Sequence, residues 1–213
     1  WFQPIVSAQT GEIMGAETLV RMRTPDGVIH GPIKFVPAAE ETGLILPLGE
    51  HVLIEALRHL VEWRDELRYV SVNVSPRQLA EPDFRQTVAS ALAAGGLRPL
   101  LLCLELTEGT LLLDTVAAWA RLREVKLLGV RLALDDFGTG FSSLSFVRQF
   151  SVEMIKIDRS FVQGVTLNAE DRAIVDAVAG LANGLGLACV AEGVETKEQA
   201  IELRALGCAL MQG

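Results

Sequence analysis

Two periods of hydrophobicity take turns along this chain. Short runs that alternate apolar and polar residues predict strands, and longer runs with apolar residues every three or four positions predict helices. Residues 2–7 (FQPIVS) and 11–21 (GEIMGAETLVR) are strand-like and flank the turn-prone AQTG, which predicts a β-hairpin. A short helix over 32–43 follows, with Pro32 near its start and Gly43 as its stop, and then a longer helix over 48–67. From there the pattern is regular: strand 69–75 (YVSVNVS), helix 82–96, strand 100–107 (LLLCLELT), helix 114–129, strand 130–136 (VRLALDD). A short helical piece at 143–150, strand 152–158 (VEMIKID), helix 169–186, strand 188–193 (ACVAEG), helix 196–207 and strand 208–213 (CALMQG) complete it.

Repeated strand–helix units predict a parallel sheet, and about eight strands predict closure into an α/β barrel of the TIM (β/α)8 type. A link of about four residues is too short for a parallel crossover. The first strand should therefore run antiparallel to the others, making this a modified barrel. No linker divides residues 1–213, which read as one domain. The chain opens in strand-like sequence, as a segment cut from a longer protein would, and a closing helix would be expected after Gly213.

Alternation sorts the side chains of each strand between two faces. Val70, Val72 and Val74 should pack under helices, leaving Ser71, Asn73 and Ser75 to face the barrel interior. By the same count Glu105 with Cys103 and Thr107, Asp135 with Ala133, Lys156, and Glu192 with Val190 point inward. Glu17 shares its face with Gly15, Leu19 and Arg21, and Thr18 lies opposite. Each inward polar group falls near the C-terminal end of its strand, the end that carries the active site in such barrels.

Charge narrows the chemistry. With 27 acidic against 19 basic residues and a net charge of −8, the chain suits neither a nucleic-acid polymer nor direct contact with an anionic membrane. Three cysteines (Cys103, Cys189, Cys208) in apolar runs without C-x-x-C spacing suggest reduced thiols and a cytoplasmic setting. No apolar run is long enough to span a bilayer. Glu17, Glu105, Asp135, Asp136 and Glu192, with Asn73 and a single lysine, cannot share a low-dielectric mouth unaided, and divalent cations would offset their repulsion. All these ligand atoms are oxygens, which selects hard ions, Mg²⁺ or Mn²⁺, with Ca²⁺ geometrically looser. His30, His51 and His59 lie in loop or helix segments without zinc-site spacing. On a regular strand Asp136 would point away from Asp135. A strand ending at Asp135, with a sharp turn at Phe137-Gly138, would tip both carboxylates over the mouth. Gly138 and Gly140 allow the positive φ such a loop needs.

At these residues the chain resembles the EAL domain family, bacterial phosphodiesterases acting on cyclic di-GMP. The resemblance runs through FQPIV, GAETLVR, VNVSPRQL, LELTE, DDFGTGFSSL, IKIDRSFV, AEGVET and GCALMQG, nearly the whole chain. It implies two Mg²⁺ or Mn²⁺ ions, one held by Glu17, Asn73, Glu105 and Asp135, the other by Asp135, Asp136 and Glu192. It also implies that Lys156 orients the attacking water and that Glu108 anchors the loop at 136–143. Gln3, Leu19, Arg21 and Gln212 resemble substrate-contacting positions. The family resemblance further suggests a homodimer, and fused sensor or GGDEF domains outside this chain. Two departures stand out: Thr18 replaces the alanine of the family's name motif, and the terminal helix is not part of the sequence. The rival readings are a degenerate EAL domain that binds cyclic di-GMP without cleaving it, and an enolase-type lyase or racemase barrel. Degenerate relatives usually lack a metal ligand, whereas every such position is filled here. Enolase-type sites need fewer carboxylates.

Overall fold

The computed structural model describes residues 1–107, 116–139, 147 and 150–213, with Val116 and Ala117 described by their backbone alone. Eight strands form a closed barrel: β1 (Phe2–Ser7), β2 (Ile13–Thr18), β5 (Val70–Asn73), β6 (Leu102–Thr107), β7 (Arg131–Phe137), β8 (Met154–Ile157), β9 (Ala188–Glu192) and β10 (Leu210–Gln212). Two two-residue strands, β3 (Met22–Arg23) and β4 (Ile29–His30), make a separate small ribbon after β2. Around the barrel the order is β1-β10-β9-β8-β7-β6-β5-β2. β1 is antiparallel to both its neighbours, and all other barrel pairings are parallel. The short hairpin link dictates this, as the sequence predicts. β10 pairs with both β9 and β1, so the sheet closes through Leu210 and Met211.

Helices fall where the 3.6-residue period places them, with trimmed ends. α1 (Val36–Thr42) stops at Gly43 in the left-handed region (φ 80°), and α2 (Ile45–Trp63) runs on from it. α3 (Pro76–Ala80) is an extra short helix started by a capping box between Ser75 and Gln78, and α4 (Phe84–Ala94) follows. The helices Val116–Lys126, Ala169–Leu185 and Lys197–Ala205 match expectation, and Arg159–Gly164 adds a short one after β8. Most of the helical piece expected at 143–150 lies outside the described residues.

The alternation along each strand divides the apolar residues into two layers. Val70, Val72, Leu102, Leu104, Leu106, Ile155, Ile157 and Ala191 pack outward against helix residues such as Leu57, Val88, Leu122 and Val175. Ile5, Tyr69, Cys103, Ala133, Met154, Val190 and Leu210 plug the interior. Gly15 makes room for this plug: a Cβ there would lie 2.8 Å from the Tyr69 ring. The plug fills the lower barrel, so the polar inward residues are left at the upper end.

Candidate active site

The C-terminal ends of the parallel strands and the start of the reversed β1 form the upper mouth. Register sets the neighbours: Gln3 beside Glu17, Asn73 beside Glu105, Thr107 beside Asp135, and Glu192 beside Gln212. Reversal of β1 is what brings Gln3, near its beginning, level with strand ends.

Lys156 is the hub. Only 1% exposed, its Nζ lies 2.5 Å from Glu192 Oε1, 2.8 Å from Glu105 Oε2, 3.1 Å from Glu17 Oε2 and 3.3 Å from Asp135 Oδ1. Burial works against its charged form, but the four carboxylates outweigh that and hold its pKa well above the usual lysine range. Glu17 is held from two more sides. Gln212 Nε2 donates to its Oε2 (2.6 Å) and Asn73 Nδ2 to its Oε1 (2.9 Å), and the same Gln212 nitrogen reaches Gln3 Oε1 at 3.2 Å. Burial alone would raise the Glu17 pKa; Lys156 and these hydrogen bonds reverse the direction and lower it.

The adjacent aspartates share the mouth by a different device from the one expected. β7 does not end at Asp135; it continues to Phe137, which pairs with Ile157. Between Leu134↔Ile155 and Phe137↔Ile157 two residues of β7 oppose one of β8, a β-bulge. Asp136 sits there with φ 54°, the left-handed conformation that aspartate tolerates better than most residues. The bulge cancels the alternation, so oxygens of Asp135, Asp136 and Glu192 lie within 4.8 Å of one another. The Asp136 amide donates to Asp135 Oδ1 at 3.0 Å. Gly138 follows with φ 99°, as the sequence anticipates, and Gly140 lies outside the described residues.

This arrangement has a charge deficit. Burial pushes Glu192 up to about 7, with Lys156 pulling the other way and Asp135 adding to the rise. Burial also lifts Asp136, to about 6, helped by Asp135 and Asp158. Glu105, wholly enclosed, is raised well above the carboxylate range by burial. Its Oε1 has no hydrogen-bond partner among the described residues. Five clustered carboxylates, one with an orphaned buried oxygen, against a single ammonium are what hard divalent cations fit. The residues therefore suit the Mg²⁺ or Mn²⁺ that the sequence anticipates.

A cavity of about 480 Å³ opens from the mouth and runs between β2, β5 and helices α1 and α2. Glu17, Leu19, Asn73, Asp135 and Asp136 line one end, and Val36, Ile45, Leu48 and Val52 the other. The helical wall was not apparent from strand alternation, although the apolar positions of 36–52 were there to suggest it. Arg21 departs from expectation. β2 ends at Thr18, so alternation does not extend to Arg21, whose guanidinium bonds its neighbour's carbonyl (Val20 O, 2.8 Å) and stacks over Trp1 at 5.6 Å. Thr18 is turned from the carboxylates as predicted. Its hydroxyl, which could have found a backbone acceptor, is instead buried without a partner among the described residues. Glu108 lies outside the described residues. Of the histidines, His59 stacks on Trp63 with ring centroids 5.2 Å apart, and His51 is exposed on helix α2.

Comparison with known proteins agrees with this geometry. The chain is 46% identical over 212 residues to an uncharacterized signaling protein of Caulobacter vibrioides, matching all of this chain and 26% of that protein. It is 40% identical over 215 residues to the bifunctional diguanylate cyclase/cyclic di-GMP phosphodiesterase MucR of Pseudomonas aeruginosa, again over its full length and 31% of MucR. The chain thus spans less than a third of either relative. Among solved structures, a MucR phosphodiesterase in complex with c-di-GMP superposes with a TM-score of 0.93 at 39% identity, covering 100% of this chain and 87% of that one. The EAL enzyme Bd1971, with cAMP and cyclic di-GMP bound, gives 0.93 at 31% identity, covering 100% and 59%. A family model described as "EAL domain" matches residues 1–213. With its reversed first strand, its acid-ringed lysine and this match over every residue, the chain belongs to the EAL domain family.

Proposed function

We propose that this domain hydrolyses one phosphodiester bond of cyclic di-GMP, giving linear 5′-pGpG, with two Mg²⁺ or Mn²⁺ ions. The observation that carries this is the ring of carboxylates around Lys156, complete at every position and short of positive charge. The similar proteins named above that cleave or bind the dinucleotide support the choice of substrate.

Glu17, Asn73, Glu105 and Asp135 would hold one cation, and Asp135, Asp136 and Glu192 the other. Such a pair, when bound, supplies an activated water and charge stabilisation for the phosphoryl oxygens. The chain's own residues do the rest. Gln212 and Asn73 fix both oxygens of Glu17, so this carboxylate cannot rotate away from its task. Asp136, aimed by the bulge, adds its charge beside Asp135. Carboxylates that would hold a cation would no longer need all of Lys156's charge, which would leave this lysine an N–H hydrogen to orient the attacking water. That water's oxygen bonds to phosphorus as the P–O3′ bond breaks, leaving a 5′-phosphate and a 3′-hydroxyl. Gln3, Leu19 and Gln212 border the place the dinucleotide would take, and the apolar wall of α1 and α2 offers it surface. Arg21 would have to leave Trp1 to reach it. The relatives' greater length supports fused signalling domains, and a cytoplasmic setting fits three free, buried cysteines; a homodimer is the family expectation.

The test is incubation with cyclic di-GMP and Mn²⁺, followed by separation of nucleotides. Appearance of pGpG, abolished by EDTA, is the expected result. Tight binding of cyclic di-GMP with no pGpG would replace the enzyme by a sensor, and neither binding nor cleavage would remove the dinucleotide from the account.

A further inference from the structure

The lower end of the barrel carries its own concavity, opposite the mouth and independent of the hydrolytic reading. A cavity of about 650 Å³ lies below the starts of β2, β5, β6 and β7 and is lined by Arg64, Arg68, Arg98 and Arg131. We propose that it is a second binding site, for a small phosphate-bearing anion up to the size of a nucleotide.

Four guanidiniums around one space repel each other, in a chain whose net charge is −8. Glu12, Asp65 and Glu66 also line the cavity, yet none of them pairs with these arginines: no ion pair among the described residues includes any of the four. Their donors are therefore available. The backbone presenting them is firm. Arg68 N donates to Met14 O at 3.0 Å, Leu101 N bonds back to Arg98 O at 3.0 Å, and Arg131 sits in β7 paired with Cys103. The Arg131 guanidinium lies over the buried Tyr69 ring, 5.4 Å from its centroid, which anchors it at the cavity edge. Every cation in the lining is an arginine, whose planar fork matches phosphate oxygens two at a time. The volume falls within the roughly 300–1,000 Å³ of small-molecule sites. A half-open concavity where several strand starts converge, rather than a basic stripe along the surface, favours a compact anion over a nucleic-acid chain.

Calorimetric titration in EDTA and low salt tests it, with inorganic pyrophosphate, ATP and adenosine as probes. Pyrophosphate and ATP should bind, and adenosine should not. The Arg68→Ala/Arg98→Ala double variant should weaken both anions by at least about tenfold. Asp135→Asn, at the mouth, should leave their affinity unchanged. If the alanine variant fails to fold, Arg68→Lys/Arg98→Lys keeps the charge but loses the fork, and should still weaken binding about threefold or more. Absence of heat from both anions at millimolar concentration overturns the site. So does unchanged affinity in the arginine variants, or binding lost only in Asp135→Asn, which would place the phosphate at the mouth.

Discussion

The two ends of this barrel hold opposite charges under opposite conditions. At the mouth five carboxylates are drawn inside, and Lys156, itself 1% exposed, is buried to compensate them. At the base three of four arginines stand exposed and none has an ion-pair partner among the described residues. Water explains the difference. Two unit charges 4 Å apart interact by about 1 kcal/mol in water but by about 4 kcal/mol near protein. A buried cluster must be neutralised within the fold, whereas an exposed one can wait for a ligand. Like charge is therefore a structural demand at one end and a binding opportunity at the other.

Lys156→Met should break that comparison most sharply. Removing one partner of a buried ionic network costs about 3–5 kcal/mol, whereas Arg98→Met at the base should cost less than about 0.5 kcal/mol. Urea unfolding of both variants in EDTA measures this, and equal midpoints would show that the mouth does not depend on its lysine. Next in size is Asp135→Asn, which both proposed cations share. Turnover of cyclic di-GMP should fall by about 10²–10³ with the fold intact, and Arg98→Ala should stay within about twofold of the parent. Near-normal turnover in Asp135→Asn would remove the bridging role. Replacing Mg²⁺ by Ca²⁺ sharpens the same point, since longer, looser coordination should allow the dinucleotide to bind while hydrolysis nearly stops. Matching rates in the two metals would mean that ion geometry does not position the water.

The smallest effect concerns Thr18, whose buried hydroxyl lacks a partner among the described residues. An unpaired hydroxyl of this kind costs about 1–3 kcal/mol. Thr18→Val keeps the shape and removes that cost, so it should stabilise by about 1 kcal/mol in a urea titration. Turnover of Thr18→Val and Thr18→Ala should change less than about tenfold, under about 1.4 kcal/mol of barrier. A hundredfold gain would mean that threonine, though turned from the carboxylates, tilts the strand that bears Glu17.

Strand alternation made much of this readable in advance. Period two places Glu17, Asn73, Glu105, Lys156 and Glu192 on inward faces, and a four-residue link cannot build anything but a reversed first strand. What alternation cannot show is where it fails. The bulge at Asp136 is an exception to the rule that located every other ligand, and an aspartate at φ 54° leaves no trace in composition. Arg21 fails for a related reason: the strand stops at Thr18, and two further residues erase the phase. The base cavity was hidden differently. Its arginines come from two separate connections and one strand start, which only the closed barrel brings together.

Reversal of β1 also sets an order of assembly. Val6 and Ser7 pair with Met211 and Leu210, so the ring cannot shut before the last strand is available. The hydrogen bond that pins Glu17 comes from Gln212, 195 residues away in sequence. Contacts so distant form late, because loop closure must precede them. A ribosome would have to release almost the entire domain before its carboxylate ring was complete. Until then the nascent chain holds its acids in water, where they do not crowd one another.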